Sequence, residues 1–149
     1  MLEKLKNLLL TLRCWIVAAS PLADLALRLW VANVFWKSGL TKIASWDSTV
    51  ALFENEYAVP LLPPEIAAYM GTATELSMPV LLVLGLGTRF GAFVLFVFNI
   101  IAVVSYPDLS EAGRYNHVQW GLMILIIFAH GPGKLSLDYW LSCRFLRVE

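Results

Sequence analysis

The stretch IAAYMGTATELSMPVLLVLGL, residues 66–86, decides how this chain folds. It has the length a bilayer-crossing helix needs, roughly 17–25 residues. Its apolar run is continuous and lacks the period-two alternation of a membrane strand. A transmembrane helix is therefore predicted. Inside it, Glu75 is the only formal charge between Glu65 and Arg89. An acidic side chain at a membrane helix centre costs about 2.5–3.5 kcal/mol on insertion scales, so this carboxyl needs a partner or a task. At about 100° per residue, Glu75 shares a stripe with Ala68, Gly71, Thr72, Met78 and Leu82. Small residues permit close helix contact, so the stripe should face the bundle interior. Pro79 has no N–H to give to the carbonyl four residues earlier, which belongs to Glu75. A backbone acceptor is thus freed beside the carboxyl.

The rest of the chain has the same character. Of 149 residues, 59% are hydrophobic and 15% charged, and mean hydropathy is +0.70. That composition is too apolar for an ordinary soluble domain and marks an integral membrane protein. Eleven basic residues balance eleven acidic ones, so nothing suggests nucleic acid as a partner. The lipid bilayer, another protein or a small molecule are the expected partners. Cys14 and Cys143 stand far apart with no CxxC pair and no His cluster, which speaks against a dithiol redox centre or a zinc site. No metal site is expected, and no covalently bound cofactor.

Further spans are expected from about Leu22 to Ile43, Phe90 to Val104 and Val118 to His130, the last two extending into their flanks. Residues 1–20 are leucine-rich with scattered charges (Glu3, Lys4, Lys6, Arg13) and no cleavage-site pattern. They read as an amphipathic segment on the membrane surface. The fold class is thus an all-α membrane protein: a four-helix transmembrane bundle over residues 21–149, preceded by an interfacial segment. Lys4, Lys6, Arg13, Arg89, Lys134, Arg144 and Arg147 fall on one side of that bundle. The positive-inside rule makes this side cytoplasmic, with both termini. The connection from Ala44 to Glu65, carrying Trp46, Phe53, Tyr57 and three prolines, then lies outside. It reads as either a connector or a lid over the outer mouth.

Asp24, Arg28, Phe35, Gly39 and Lys42 fall on one face of the first span. Arg28 is spaced for an i,i+4 ion pair with Asp24, or for a role reaching towards Glu75. Asn99 lies in the same central layer as Glu75, within reach of a hydrogen bond. His117 and Trp120 open the fourth span on one side. A histidine there either carries protons near neutral pH or contacts headgroups. Glu75 itself reads either as a working acid or as interhelical glue.

Arg28, Phe35, Gly39 and Lys42, with Glu75 and Pro79, the turn Gly85 to Arg89, His117 with Trp120, and the closing GPGKLSLD segment (residues 131–138) together resemble the DoxX family. The resemblance covers about Leu22 to Trp140. It implies a small four-helix protein of a bacterial-type inner (plasma) membrane, related to the membrane subunit of thiosulfate:quinone oxidoreductase. A quinone is then the compatible cofactor. Glu75 and Arg28 would be the catalytic candidates, and Asn99, His117, Trp120 and Lys42 the cofactor-binding ones. A membrane or peripheral oxidoreductase subunit would be the protein partner, with homo-oligomerisation also open. The alternatives are a non-enzymatic protein that binds or moves a small lipophilic or sulfur-containing molecule, and a structural anchor or assembly factor.

Overall fold

The computed structural model describes Leu2–Leu146, and within them the chain is all helix and connecting turns. Met1 and Arg147, which the sequence reading placed in the N-terminal segment and on the basic side, lie outside the described residues. Helix α1 runs over Leu2–Ala44, α2 over Trp46–Asn55, α3 over Pro64–Leu84, α4 over Thr88–Ser105, α5 over Glu111–His130 and α6 over Leu137–Leu141. A π-helical turn follows at Ser142–Leu146. The stretch 3–44, α3 and α4 are each long and apolar enough to cross a membrane. Helix α5 opens with a polar turn, Glu111, Arg114, Asn116 and His117, and turns apolar only beyond it.

The four long helices close a ring: α1 packs on α3 and α5, and α4 packs on α3 and α5. Val31, Ala32 and Phe35 of α1, Leu82 of α3, Ala92 and Leu95 of α4, and Ile124 and Ile127 of α5 meet in one buried cluster. Small residues set the helix spacing. A Cβ on Gly39 would stand 2.8 Å from Leu76 Cδ2 and 3.2 Å from Glu75 Cβ, so glycine there lets α1 approach α3 beside the carboxyl.

Local signals explain the boundaries. Pro64 starts α3, where the first turn needs no N–H donor. Gly85 ends it in the left-handed region at φ 66°. Leu86 N then donates to Leu81 O (3.0 Å) and Gly85 N to Leu82 O (3.2 Å), a Schellman closure. Ser110 caps α5 by accepting from Gly113 N at 3.1 Å.

The structure adds two features to the sequence reading. Helix α1 continues through Pro21 without a break. Ser20 Oγ donates to Val17 O at 3.1 Å, the carbonyl that Pro21 leaves without a backbone donor, so the helix survives. At about 1.5 Å per residue its 43 residues extend roughly 65 Å, about twice a hydrocarbon core. Residues 3–20 are exposed beyond the bundle. The second is the 44–65 connection. It contains α2, which folds back with Thr49 and Phe53 buried, and Phe53 packs with Ala67 and Ala68 of α3.

Candidate functional site

The polar residues of the bundle sort into two groups, one at each end. At the end carrying the α3–α4 turn, Arg28 is 1% exposed. Its Nη1 donates to Leu82 O at 3.1 Å and its Nη2 to Leu135 O. Gly85 makes room for this guanidinium, because a Cβ there would collide with Nη1 and with Ser136. Asp138 reaches back from α6 to accept from Gly87 N (2.8 Å) and Thr88 N (2.9 Å). A carboxylate on the first free N–H groups of α4 is favourable by both hydrogen bonding and helix dipole. Asp138 N completes the closure by donating to Gly85 O at 2.8 Å. The segment 131–138 is thereby tied to the α3–α4 turn.

At the other end a cavity of about 510 Å³ opens between the helices. Glu75 projects into it from α3 and is 4% exposed. Lys42 of α1 donates to both of its carboxylate oxygens, at 2.8 and 2.6 Å. Ser38, one turn before Lys42, donates to Glu75 Oε1 at 3.0 Å and accepts from Lys42 Nζ at 3.0 Å. Carboxylate, ammonium and hydroxyl form a closed triangle set in apolar walls. Phe35, Phe53, Phe93, Phe98 and Trp120 are among the side chains that surround it.

His117 and Trp120 of α5 form another wall. His117 Nδ1 lies 2.8 Å from Asn99 Oδ1, and Asn99 Nδ2 donates to His117 O at 2.9 Å. A Cβ on Gly121 would stand 3.2 Å from Asn99 Nδ2, so that glycine admits the amide. Trp120 packs edge-on against the His117 ring (4.9 Å) and against Phe35 (6.2 Å).

The 44–65 connection roofs the cavity with Phe53, Tyr57, Val59 and Leu62. It is held by Ala58 N donating to Ser105 O at 2.8 Å and by Tyr106 donating to Glu56 Oε2 at 3.1 Å. Burial raises the Tyr57 phenol above its ordinary pKa, and Tyr106, Glu75 and Glu56 add to the effect. The roof phenol therefore keeps its proton. Ser105 also lines the cavity, is 2% exposed, and its hydroxyl has no hydrogen-bond partner among the described residues.

The sequence pattern that defines the DoxX family matches residues 23–107, more than half of the chain. The chain belongs to the DoxX family. A protein of Haemophilus influenzae (strain ATCC 51907 / DSM 11121 / KW20 / Rd), described as uncharacterized, is 33% identical over 131 residues, covering 80% of this chain and 83% of the relative. No solved structure matches the chain. The matched DoxX stretch holds Arg28, Lys42, Glu75 and Asn99. The α5 wall with His117 and Trp120, and the closing segment, lie beyond it.

Of the residues singled out from the sequence, Glu75, Lys42, His117 and Trp120 converge on the cavity. Asn99 stands behind them: it holds His117, and its hydrogen bonds go to that residue and not to Glu75. Arg28 reaches neither Glu75 nor a salt bridge with Asp24, because its guanidinium is committed to two carbonyls at the opposite end of the bundle. Asp24 instead lies 3.8 Å from His130 Nδ1. Ser38 and Ser105 were missed, while the connection with Phe53 and Tyr57, read as either a connector or a lid, roofs the cavity. Ser38 had a signal, its i,i+4 spacing to Lys42. Ser105 had none, because its place in the cavity depends on how the loop folds back. Among the described residues no group of three or more His, Cys, Asp or Glu gathers as a metal site.

Proposed function

We propose that this DoxX protein is an integral membrane subunit of a quinone-linked oxidoreductase system, holding a lipophilic aromatic ligand in the outer cavity and docking a partner protein. The observation that carries this reading is a desolvated Lys42–Glu75 pair inside an aromatic-walled cavity of about 510 Å³. Such sites combine apolar walls with a few placed polar groups, and the volume suits a ring-sized ligand. The unpartnered Ser105 hydroxyl supports the fit of a ring bearing oxygen substituents, since a buried hydroxyl without a partner is costly. Met70 of α3 and Phe93, Val97 and Ile101 of α4 line the cavity while remaining exposed. They give it an apolar edge on the lipid-facing side, suited to a ligand arriving through the bilayer.

A bound quinone would supply the electron chemistry. Phe35, Phe98 and Trp120 would confine the ring, Glu75 and His117 would hold or accept protons at its oxygens, and Lys42 with Ser38 fixes the carboxylate. The orientation proposed for the chain puts the cavity end outside and the basic end, with the Arg28 clamp, in the cytoplasm.

A structural role has one observation in its favour, since the Lys42–Glu75 pair also bridges α1 and α3. Two measurements test the proposal: mass spectrometry of lipophilic small molecules extracted from the purified protein, and quenching of tryptophan fluorescence by a short-chain quinone. Quinone in the extract and saturable quenching weakened by Glu75→Gln are expected. An empty extract together with no saturable quenching refutes the ligand reading.

A further inference from the structure

The hydrogen-bonding capacity of the cavity is lopsided. An ammonium has three protons to donate, and Lys42 gives all three, two to the Glu75 carboxylate and one to Ser38. The single proton of Ser38 goes to Glu75 Oε1. The cation that lines the cavity therefore offers a ligand no free donor. The carboxylate is different, because its two oxygens have about four lone-pair sites and the triangle uses three of them.

His117 is asymmetric in the same sense. The Asn99 nitrogen is identified by chemistry: the atom that meets the His117 carbonyl must be the amide NH₂, since a carbonyl oxygen only accepts. The other end of that amide is then an oxygen, and the ring nitrogen 2.8 Å from it must be a donor. Nδ1 carries the proton, so in the neutral ring Nε2 is a bare acceptor. No hydrogen bond to Nε2 is made among the described residues. Among the charged and imidazole groups, what is left over is thus acceptor capacity, a carboxylate oxygen and an imidazole nitrogen, while Trp120 brings one indole N–H donor to the wall. Ser105, Tyr57 and Thr74 add hydroxyls, which act either way.

Resting on the reading that the cavity takes a quinone-type ligand, we infer that it discriminates by redox state: it binds the dihydroxy, reduced ring more tightly than the dicarbonyl, oxidised ring, and His117 Nε2 reads the difference. A ring hydroxyl donates to Nε2, whereas a ring carbonyl placed at the same atom faces its lone pair. Asn99 is a positioning residue, locking the tautomer that exposes the acceptor. One hydrogen bond to an ionised or strongly basic acceptor amounts to roughly a tenfold preference.

The test uses the full chain in lipid nanodiscs under anaerobic conditions, titrated calorimetrically with decylubiquinol and, separately, with decylubiquinone. About tenfold tighter binding of the quinol is expected. His117→Phe, which keeps an aromatic ring but removes the acceptor, is expected to bring the two affinities within about twofold. Equal affinities in the unmodified protein, or tighter binding of the quinone, overturn the inference and leave the quinone pocket standing. A preference that survives in folded His117→Phe also overturns it, by removing the assigned atom. Binding of neither form sinks the pocket itself.

Discussion

Replacing the two members of the buried ion pair, singly and together, separates a fastener from a binding site. Lys42 Nζ and Glu75 Oε2 are 2.6 Å apart, with side-chain exposures of 17% and 5%. Removing one partner leaves the other charge desolvated, which costs about 3–5 kcal/mol in buried pairs. Lys42→Met strands the more buried member, Glu75, and is expected to cost about 4 kcal/mol. Glu75→Leu strands a lysine that can extend towards water along its stem, and is expected to cost about 3 kcal/mol. The double variant leaves no charge behind, and an apolar replacement of similar volume is often neutral, so its cost should be about 1 kcal/mol. The coupling between the positions is then about 6 kcal/mol. The assay is unfolding in mixed micelles with rising dodecyl sulfate, followed by helical circular dichroism. Additive costs, with the double variant as unstable as the two singles summed, would refute the claim that the pair is one coupled unit. Because the double variant is expected to fold, it also allows the decisive binding measurement. Loss of quinone binding in a folded double variant marks the pair as part of the site, while retained binding marks it as a helix clamp alone.

Asp138→Ala is expected to destabilise the protein by about 1–2 kcal/mol in the same unfolding assay, since it strips the acceptor from two first-turn N–H groups of α4. Gly85→Ala should be worse, about 2–4 kcal/mol, because its left-handed backbone combines with a Cβ that meets the Arg28 guanidinium; a stability within about 0.5 kcal/mol of wild type contradicts the clamp. The Tyr57 phenol, raised by burial, ionises in the folded protein above the ordinary tyrosine value. Its contribution to stability is full below that value and is lost as pH rises through the folded one. The difference between phenolate absorbance titrations of wild type and Tyr57→Phe should show one late-titrating group. A difference curve centred at or below the ordinary value would mean that the roof does not close over the ring.

Much of the fold was legible because hydropathy is written along the chain one helix at a time. The run 66–86 announced a span, and the structure gives α3 as Pro64–Leu84. The stripe of Ala68, Gly71, Thr72, Met78 and Leu82 foretold which side of α3 faces inward: four of its members are buried with Glu75, and Met78 is half-buried. The face shared by Arg28, Phe35 and Gly39 on α1 is buried as well. Pairing was less legible. Glu75 drew Lys42, already on the right face of α1, while Asn99 at the same depth found His117. Arg28 went the other way, to backbone carbonyls exposed where α3 ends and the closing segment turns.

By itself the sequence determined that this is an apolar helical protein, that Glu75 is central and inward, and that a DoxX pattern runs through it. Burial in a membrane helix repeats every 3.6 residues, so one helix's sequence is enough to reveal its inner face. Only the tertiary structure decided what that carboxyl meets. Hydrogen bonds between helices hold over about 3 Å, and axial offsets and rotations between neighbours exceed that distance without altering either helix's pattern. The roof of Phe53 and Tyr57, the orphaned Ser105 hydroxyl and the Asp138 cap arise in the same way, from segments brought together across 50 residues or so of chain.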